Sequence, residues 1–181
     1  MKVEIEIPEG KEAKWINGVL TLVDKKPKDI TERIKTLEDA IKALGDKHPL
    51  VSQYYRAVAT FKYEPMTKDL LAYLKLRIIC AALNEGWEPT FGADECHYYP
   101  WFYIYTKEKY EELDEEVKAH GVPLRSSYNA GANDGLVLTY ANYAGSNSST
   151  IICVRIALKT RELAEYCSRQ FIDIWCDYLF G

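Results

Sequence analysis

The chain is 181 residues long, a length that one hydrophobic core can serve. Its content of 48% hydrophobic and 28% charged residues excludes the compositions that are typical of disorder. The net charge is −4, and Lys and Arg are mixed with Asp and Glu along the chain. Because phosphate binding needs clustered cations, nucleic acid is not the expected main partner. We therefore expect a single domain over residues 1–181.

The N-terminal segment lacks the apolar run and the cleavage site of a signal peptide. No stretch of the chain approaches the ~20 apolar residues that a bilayer requires. We therefore expect cytoplasmic synthesis without a signal peptide, and no membrane partner.

The cysteines indicate reduced thiols. There are five of them, an odd number, and they have no short metal-type spacing. Four lie in apolar periodic segments, where a thiol acts as a small hydrophobe. We expect these four to be buried: Cys80, Cys153, Cys167 and Cys176.

Residues 1–28 are predicted to form a β-hairpin region. Val3, Ile5 and Ile7 alternate with charged residues, as in a strand with one buried face. Asn17-Gly18 then lies between two apolar runs, which is the strongest short hairpin signal.

Residues 29–86 are predicted to be helical. Apolar residues from Ile30 to Leu44 recur at steps of four and three, which predicts one helix that Asp29 begins and Gly45 ends. A second helix is expected over Leu50–Tyr63. A third, Lys68–Glu85, is expected to be N-capped by Thr67 and to bury a broad apolar face.

Residues 98–159 are predicted to be rich in β-structure. Tyr98–Tyr105 is an aromatic strand, and we expect its rings to pack in the core. A strongly acidic helix, Lys107–His120, follows it. Two or three further strands are expected across Leu124–Leu158, separated by turn-forming clusters of Asn, Gly and Ser.

The chain is predicted to end in a strand and a long helix. Ile152, Val154, Ile156 and Leu158 alternate as in a final strand, where Arg155 is expected to pair with an oxygen inside the fold. Thr160 then offers an N-cap to one helix, Arg161–Leu179, within residues 160–180. The predicted class is α+β, with an antiparallel sheet, flanking helices and this additional C-terminal helix.

No catalytic or metal signature in the sequence is strong. Asp94-Glu95-Cys96-His97 has the letters of a helicase acidic box, but the chain has no Gly-rich phosphate loop with its Lys. Cys96 and His97 are adjacent, so in a strand they point to opposite faces. The histidines have no helical ligand spacing. We expect no cofactor and no metal, although loop Asn and Asp oxygens leave calcium open.

The carboxyl-terminal part carries a resemblance. The run from Asn129 to Leu136, then Tyr140 and Tyr143, then the Ser/Asn cluster 146–149 and Val154-Arg155-Ile156-Ala157 resemble the end of C-type-lectin-like domains. They resemble in particular the variable proteins of diversity-generating retroelements. The pattern departs from that family at Tyr128, where Trp is usual, and at Cys153, where Gly is expected. The resemblance implies a C-type-lectin-like antiparallel sheet that displays diversified side chains.

A second resemblance covers most of the chain. The helix containing LLAYLKLRIICAALNEGW, the YYPWF strand and the TRELAEYCSRQFIDIW helix resemble uncharacterised small proteins of phages and mobile elements of gut bacteria. This resemblance implies no activity. It is compatible with incorporation in a phage particle.

The hypothesis is a non-enzymatic binding protein that displays an Asn/Tyr/Ser-rich surface to a protein or glycan ligand. The sequence favours no particular oligomeric state. The candidate ligand-binding residues are Tyr128, Asn129, Asn133, Asp134, Tyr140, Asn142, Tyr143 and Asn147. Two alternatives stay open. One is a small enzyme with a cleft lined by Cys96, His97, Tyr99 and Trp101. The other is a nucleic-acid accessory protein that stacks bases on the aromatic strand.

Overall fold

The structure is a computed structural model that describes residues 6–24, 29–61, 67–90, 95–119, 121–123, 135–145 and 154–181. For residues 135–145 it describes the backbone. Helices and antiparallel strands occupy separate stretches of the chain, so the α+β class is confirmed. Contacts divide the chain into two compact units, Met1–Arg33 and Ile34–Gly181. The single domain stays a prediction.

The first unit contains the predicted hairpin. Strand β1 (Lys11–Ile16) pairs antiparallel with β2 (Val19–Asp24), and Ile16 and Val19 form the closing pair. Asn17 has φ 50° and Gly18 has φ 80°, as a type I′ turn requires at both central positions. The hairpin is therefore confirmed. The earlier strand over Val3–Ile7 falls mostly on residues 1–5, outside the described residues.

The prediction of one helix from Ile30 to Leu44 is wrong. The chain forms a short helix α1 (Ile30–Arg33) and a separate helix α2 (Leu37–Leu44). A capping box starts α2: the Asp39 N–H donates to the Thr36 hydroxyl at 3.1 Å, and the Thr36 N–H donates to the Asp39 carboxylate at 3.0 Å. Because the N-cap residue needs extended backbone, Thr36 interrupts the helix.

Two longer helices follow. Helix α3 (Pro49–Thr60) and helix α4 (Lys68–Leu83) are both confirmed, each with slightly different ends. Thr67 occupies the N-cap position of α4, but its side chain makes no capping hydrogen bond. Helix α4 packs against α2, α3 and the elements that follow it. Most of its apolar residues are buried, and they lie on several sides of the helix, as expected of a helix that is surrounded by other elements. It forms the centre of the second unit.

A three-stranded antiparallel sheet lies in the same unit. Its strands are β3 (Cys96–Tyr105), β4 (Gly121–Pro123) and β5 (Gly135–Gly145), in the order β3-β5-β4. Strand β3 begins two residues before the predicted Tyr98. The predicted acidic helix is two short helices, α5 (Lys107–Glu111) and α6 (Glu115–Lys118). Asp114 has extended backbone at the N-cap of α6, and this separates the two.

The predicted final strand is wrong where the structure describes it. Residues Val154–Ile156 form a 3-10 helix, η1, and Leu158 makes only an isolated bridge with Tyr98. Ile156, Ala157 and Leu158 are all buried, so the burial does not alternate. Two side chains of the α4 region bind this backbone: the Cys80 thiol donates to the Ile156 carbonyl at 3.4 Å, and the other is Asn84. Its amide donates to the Ala157 carbonyl at 2.9 Å and accepts from the Lys159 N–H at 3.0 Å, so a side chain binds this backbone.

The predicted C-terminal helix is divided in two. Helix α7 (Arg161–Gln170) begins as predicted, because the Thr160 hydroxyl accepts from the Leu163 N–H at 3.3 Å. Phe171 then leaves the helical region at φ −119° and ψ 31°, and α8 (Ile172–Phe180) starts after it. The Phe171 side chain is buried, so it packs in the core at the residue where the helix is interrupted. Helix α7 packs on β3 and β5, and α8 packs on α4.

The described cysteines are free thiols. Cys80, Cys167 and Cys176 are buried as predicted, Cys96 is exposed, and Cys153 lies outside the described residues. A hydrogen bond with Cys167, together with burial, holds the pKa of Cys80 well above its usual range. Burial raises the pKa of Cys176 to about 11. Since the thiolate is the nucleophile, these two thiols are unreactive at neutral pH.

Candidate functional site

Strand β3 carries an aromatic face, which we define as Trp101, Tyr103 and Tyr105. Residues two apart on a strand point to the same side, so these three rings lie on one side of the sheet. Trp101 is 43% exposed and Tyr103 is 52% exposed. The rings of Tyr103 and Tyr105 are 6.0 Å apart and tilted by 55°. The expectation that the aromatic strand packs wholly in the core is therefore wrong for Trp101 and Tyr103.

The exposure follows from a change in which side of β3 is buried. His97 and Tyr99 are buried in the first half of the strand, whereas Phe102 packs inward in the second half. The Phe102 ring lies 5.7 Å from the Trp175 ring of α8. The register with β5 shifts between Trp101 and Phe102. This register shift lies where the buried side of β3 changes. A bulge increases the local twist of a strand, which is consistent with such a change.

The predicted ligand-binding residues divide into two groups. Three of them belong to β5, where the backbone positions of Tyr140, Asn142 and Tyr143 pair with Trp101, Tyr99 and Tyr98. The other five lie outside the described residues: Tyr128, Asn129, Asn133, Asp134 and Asn147. The structure therefore places Tyr140 at the backbone position directly opposite an exposed tryptophan. Sequence reasoning missed Trp101 and Tyr103 as surface residues, because a run of aromatic residues also fits a buried strand.

The alternative cleft residues are distributed over both sides of β3. Cys96 is exposed and lies on the opposite side from His97, Tyr99 and Trp101. His97 is 2% exposed, and its Nε2 lies 3.1 Å from the Glu95 carboxylate. The Trp87 ring meets the His97 ring edge-on, with centroids 5.9 Å apart.

Glu95 ties the two described ends of the loop before β3 together. Its carboxylate accepts from the Thr90 N–H at 2.7 Å, from the Thr90 hydroxyl at 2.9 Å, and lies against His97. The hydrogen bond with His97, followed by those from Thr90, lowers the pKa of Glu95 below its ordinary 4.5. Every one of these contacts is local, which is typical of a structural clamp.

Glu95→Gln is expected to lower the urea midpoint of unfolding at pH 7. The folded pKa of Glu95 is depressed, so its contribution is present above about pH 4.5 and is lost as pH falls through the folded pKa. The difference in urea midpoint between wild type and variant should therefore become smaller as the pH is lowered. Urea titrations at pH 7, 4 and 3 measure this. Glu88→Gln, an exposed change in the same loop, is the control, and a Glu95→Gln deficit that persists unchanged at pH 3 contradicts the assignment.

A cavity of about 360 Å³ opens beside the carboxyl end of α4. Its polar lining consists of Arg77, Asn84, Glu88 and Arg155. Its remaining walls are apolar or aromatic: Leu50, Ala81, Trp87, Pro89 and Ala157. The expected inward pairing of Arg155 is wrong, since Arg155 is exposed in η1. Arg77 interrupts an apolar helix, and this was the sequence signal that could have indicated the cavity.

Neither a metal centre nor a membrane span is found in the described residues. Within residues 6–24, 29–61, 67–90, 95–119, 121–123, 135–145 and 154–181, no group of three or more His, Cys, Asp or Glu could hold a metal ion. None of the helices described there is long and apolar enough to cross a bilayer.

Comparisons with known proteins returned no relatives. A scan against protein-family models, a search of curated proteins and a search of solved structures each found no match to the chain.

Proposed function

We propose that the chain is a non-enzymatic binding protein that recognises a protein partner through the aromatic face and the adjoining strand β5. The observation that carries the proposal is the exposure of Trp101 and Tyr103, two large aromatic side chains on a strand whose His97 and Tyr99 are buried. Exposed aromatic patches mark interaction sites, and Trp and Tyr dominate the binding energy of interfaces. A strand holds these rings rigidly, so little conformational entropy is lost when a partner binds.

A protein fits this surface better than the other partners. Aromatic residues are enriched and charged residues are depleted at the centre of protein interfaces, and the aromatic face consists of uncharged aromatic side chains. The exposed carboxylates of Glu108, Glu111 and Glu112 directly follow the strand and would repel a nucleic-acid backbone. Stacking of single-stranded bases on these rings is therefore disfavoured.

The finer parts of the hypothesis belong to the same proposal. The sheet is proposed to be C-type-lectin-like, and the eight Asn, Tyr and Asp positions named above are proposed to form a diversified surface that adjoins the aromatic face at Tyr140. The Cα pairing of Tyr140 with Trp101 supports this adjacency. The proposal also includes an origin in a phage or mobile element, cytoplasmic synthesis and incorporation in a phage particle. A reverse-transcriptase gene beside a near-copy of the segment coding for residues 126–157 would support diversification directly.

Selected peptides test the binding surface. Peptides that bind the full chain are isolated from a random display library, and their affinities are measured for wild type and for Trp101→Ala/Tyr103→Ala. We expect the double variant to lose at least about tenfold in affinity, because truncating central aromatic residues removes hot-spot contacts. The bound peptide should shift amide resonances of β3 and β5.

Trp15→Ala is the matched control, since Trp15 is 73% exposed but belongs to the hairpin. It should leave peptide affinity unchanged. Equal affinities for wild type and the double variant refute the proposed surface. Glycan-array binding that disappears in the double variant would assign a glycan to the surface instead of a protein. A gel shift with single-stranded DNA at low salt would favour the nucleic-acid alternative.

A further inference from the structure

The cavity beside α4 contains two arginines that have no carboxylate partner among the described residues. Neither Arg77 nor Arg155 is in a salt bridge within this part of the chain. The Nε of Arg77 is buried and makes no hydrogen bond. Since buried cationic groups are normally paired, an unsatisfied guanidinium nitrogen at a cavity wall indicates a site for an anion.

Arg77 is held in place from two sides. Its Nη1 donates to the Gln53 side chain at 3.4 Å, and its guanidinium lies 5.9 Å from the centre of the Tyr73 ring. Both contacts leave the charge unneutralised. A guanidinium that is already oriented loses less entropy when it binds a carboxylate or a phosphate through two hydrogen bonds.

Arg155 is brought to the same cavity by η1. The Asn84 side chain binds the backbone at Ala157 and Lys159, directly after η1, so the arginines are the charged donors for an anion in this lining. Glu88 is the one carboxylate among the described residues of the lining. With two guanidinium groups against one carboxylate, the described lining is net positive, and its apolar walls strengthen the field inside the cavity.

The remaining wall determines the kind of anion. Trp87 contributes a flat aromatic surface, and the cavity volume of about 360 Å³ lies in the range of small-ligand sites. We propose that the cavity binds an organic anion in which a phosphate or carboxylate group is joined to a planar ring. The arginines take the anionic group and Trp87 takes the ring. This site is separate from the aromatic face and does not depend on it.

Calorimetry at low salt with two matched probe pairs tests the site. Adenosine monophosphate is compared with adenosine, and benzoate is compared with benzamide, each titrated into the full chain. We expect at least one anion to bind about tenfold or more tightly than its neutral counterpart. Whichever pair shows the difference identifies phosphate or carboxylate as the preferred group.

The variants Arg77→Gln and Arg155→Gln should each weaken that binding by about tenfold or more. Arg155 is exposed, so its variant should keep the fold. Arg169→Gln on α7 removes the same charge away from the cavity and should leave the affinity unchanged. The proposal is overturned if neither anion binds below about 10 mM, or if Arg169→Gln weakens binding as much as the cavity variants do.

Discussion

Leu76→Ala is expected to lower the free energy of unfolding of the second unit by about 3 kcal/mol. Leu76 is 0% exposed and lies in the middle of α4, which packs against α2, α3, α7, α8 and η1. Removing its side chain deletes buried apolar surface and leaves a cavity that neighbours on several sides cannot all close. The loss of unfolding free energy is therefore expected near the middle of the range that is measured when buried leucines are replaced by alanine.

Urea unfolding followed by tryptophan fluorescence measures the effect. A Trp15→Phe background restricts the signal to Trp87, Trp101 and Trp175, which all belong to the second unit. Leu70→Ala makes the same substitution on the same helix, where the side chain is 46% exposed, and should cost less than about 1 kcal/mol. Equal losses at the two positions would show that α4 is not the centre of the core.

Signals that act over a few residues predicted the local structure well. Asn17-Gly18 specified the hairpin because few residues other than Asn and Gly adopt φ > 0 at two successive positions. Thr160 specified the start of α7 because its hydroxyl satisfies an N–H that the helix leaves free. Such features depend on the backbone next to them, so they can be found in the sequence alone.

Periodicity was misleading where a cap or a packed side chain interrupts an element. The apolar steps run through Thr36 without a break, yet Thr36 and Asp39 form a capping box that begins a new helix. Phe171 fits the apolar face of a long C-terminal helix, yet its backbone is not helical. A periodic pattern reports which side is apolar and cannot report where hydrogen bonds stop.

The candidate sites depend on long-range contacts, which explains why the sequence indicated them poorly. Whether Trp101 is exposed depends on which side of β3 is covered by α7 and by Trp175 of α8. The alternation from Ile152 to Leu158 predicted a strand, but Asn84, more than 70 positions earlier in the chain, binds the backbone at Ala157 and Lys159. No local pattern contains this information, because the partner lies on another element.

Asn84→Ala is expected to destabilise the second unit by about 3 kcal/mol. Asn84 is 5% exposed, and its amide satisfies both the Ala157 carbonyl and the Lys159 N–H. Alanine would leave these two backbone groups without their partners, and each unsatisfied buried group costs about 1–3 kcal/mol. The same hydrogen bonds position Leu158, whose N–H donates to the Tyr98 carbonyl at 3.0 Å, so the loss should extend to β3.

Hydrogen exchange localises this second effect more sharply than global unfolding does. In Asn84→Ala the amides of Lys159 and Leu158 should exchange faster relative to the amides of α4, because the backbone around η1 loses the side chain that holds it. Gln53→Ala removes an exposed amide whose contact with Arg77 is 3.4 Å long, and it should change stability by less than about 0.5 kcal/mol. If the Lys159 amide keeps its protection in Asn84→Ala, then packing of Ile156 and Leu158 holds this segment, and Asn84 is not what prevents the final strand.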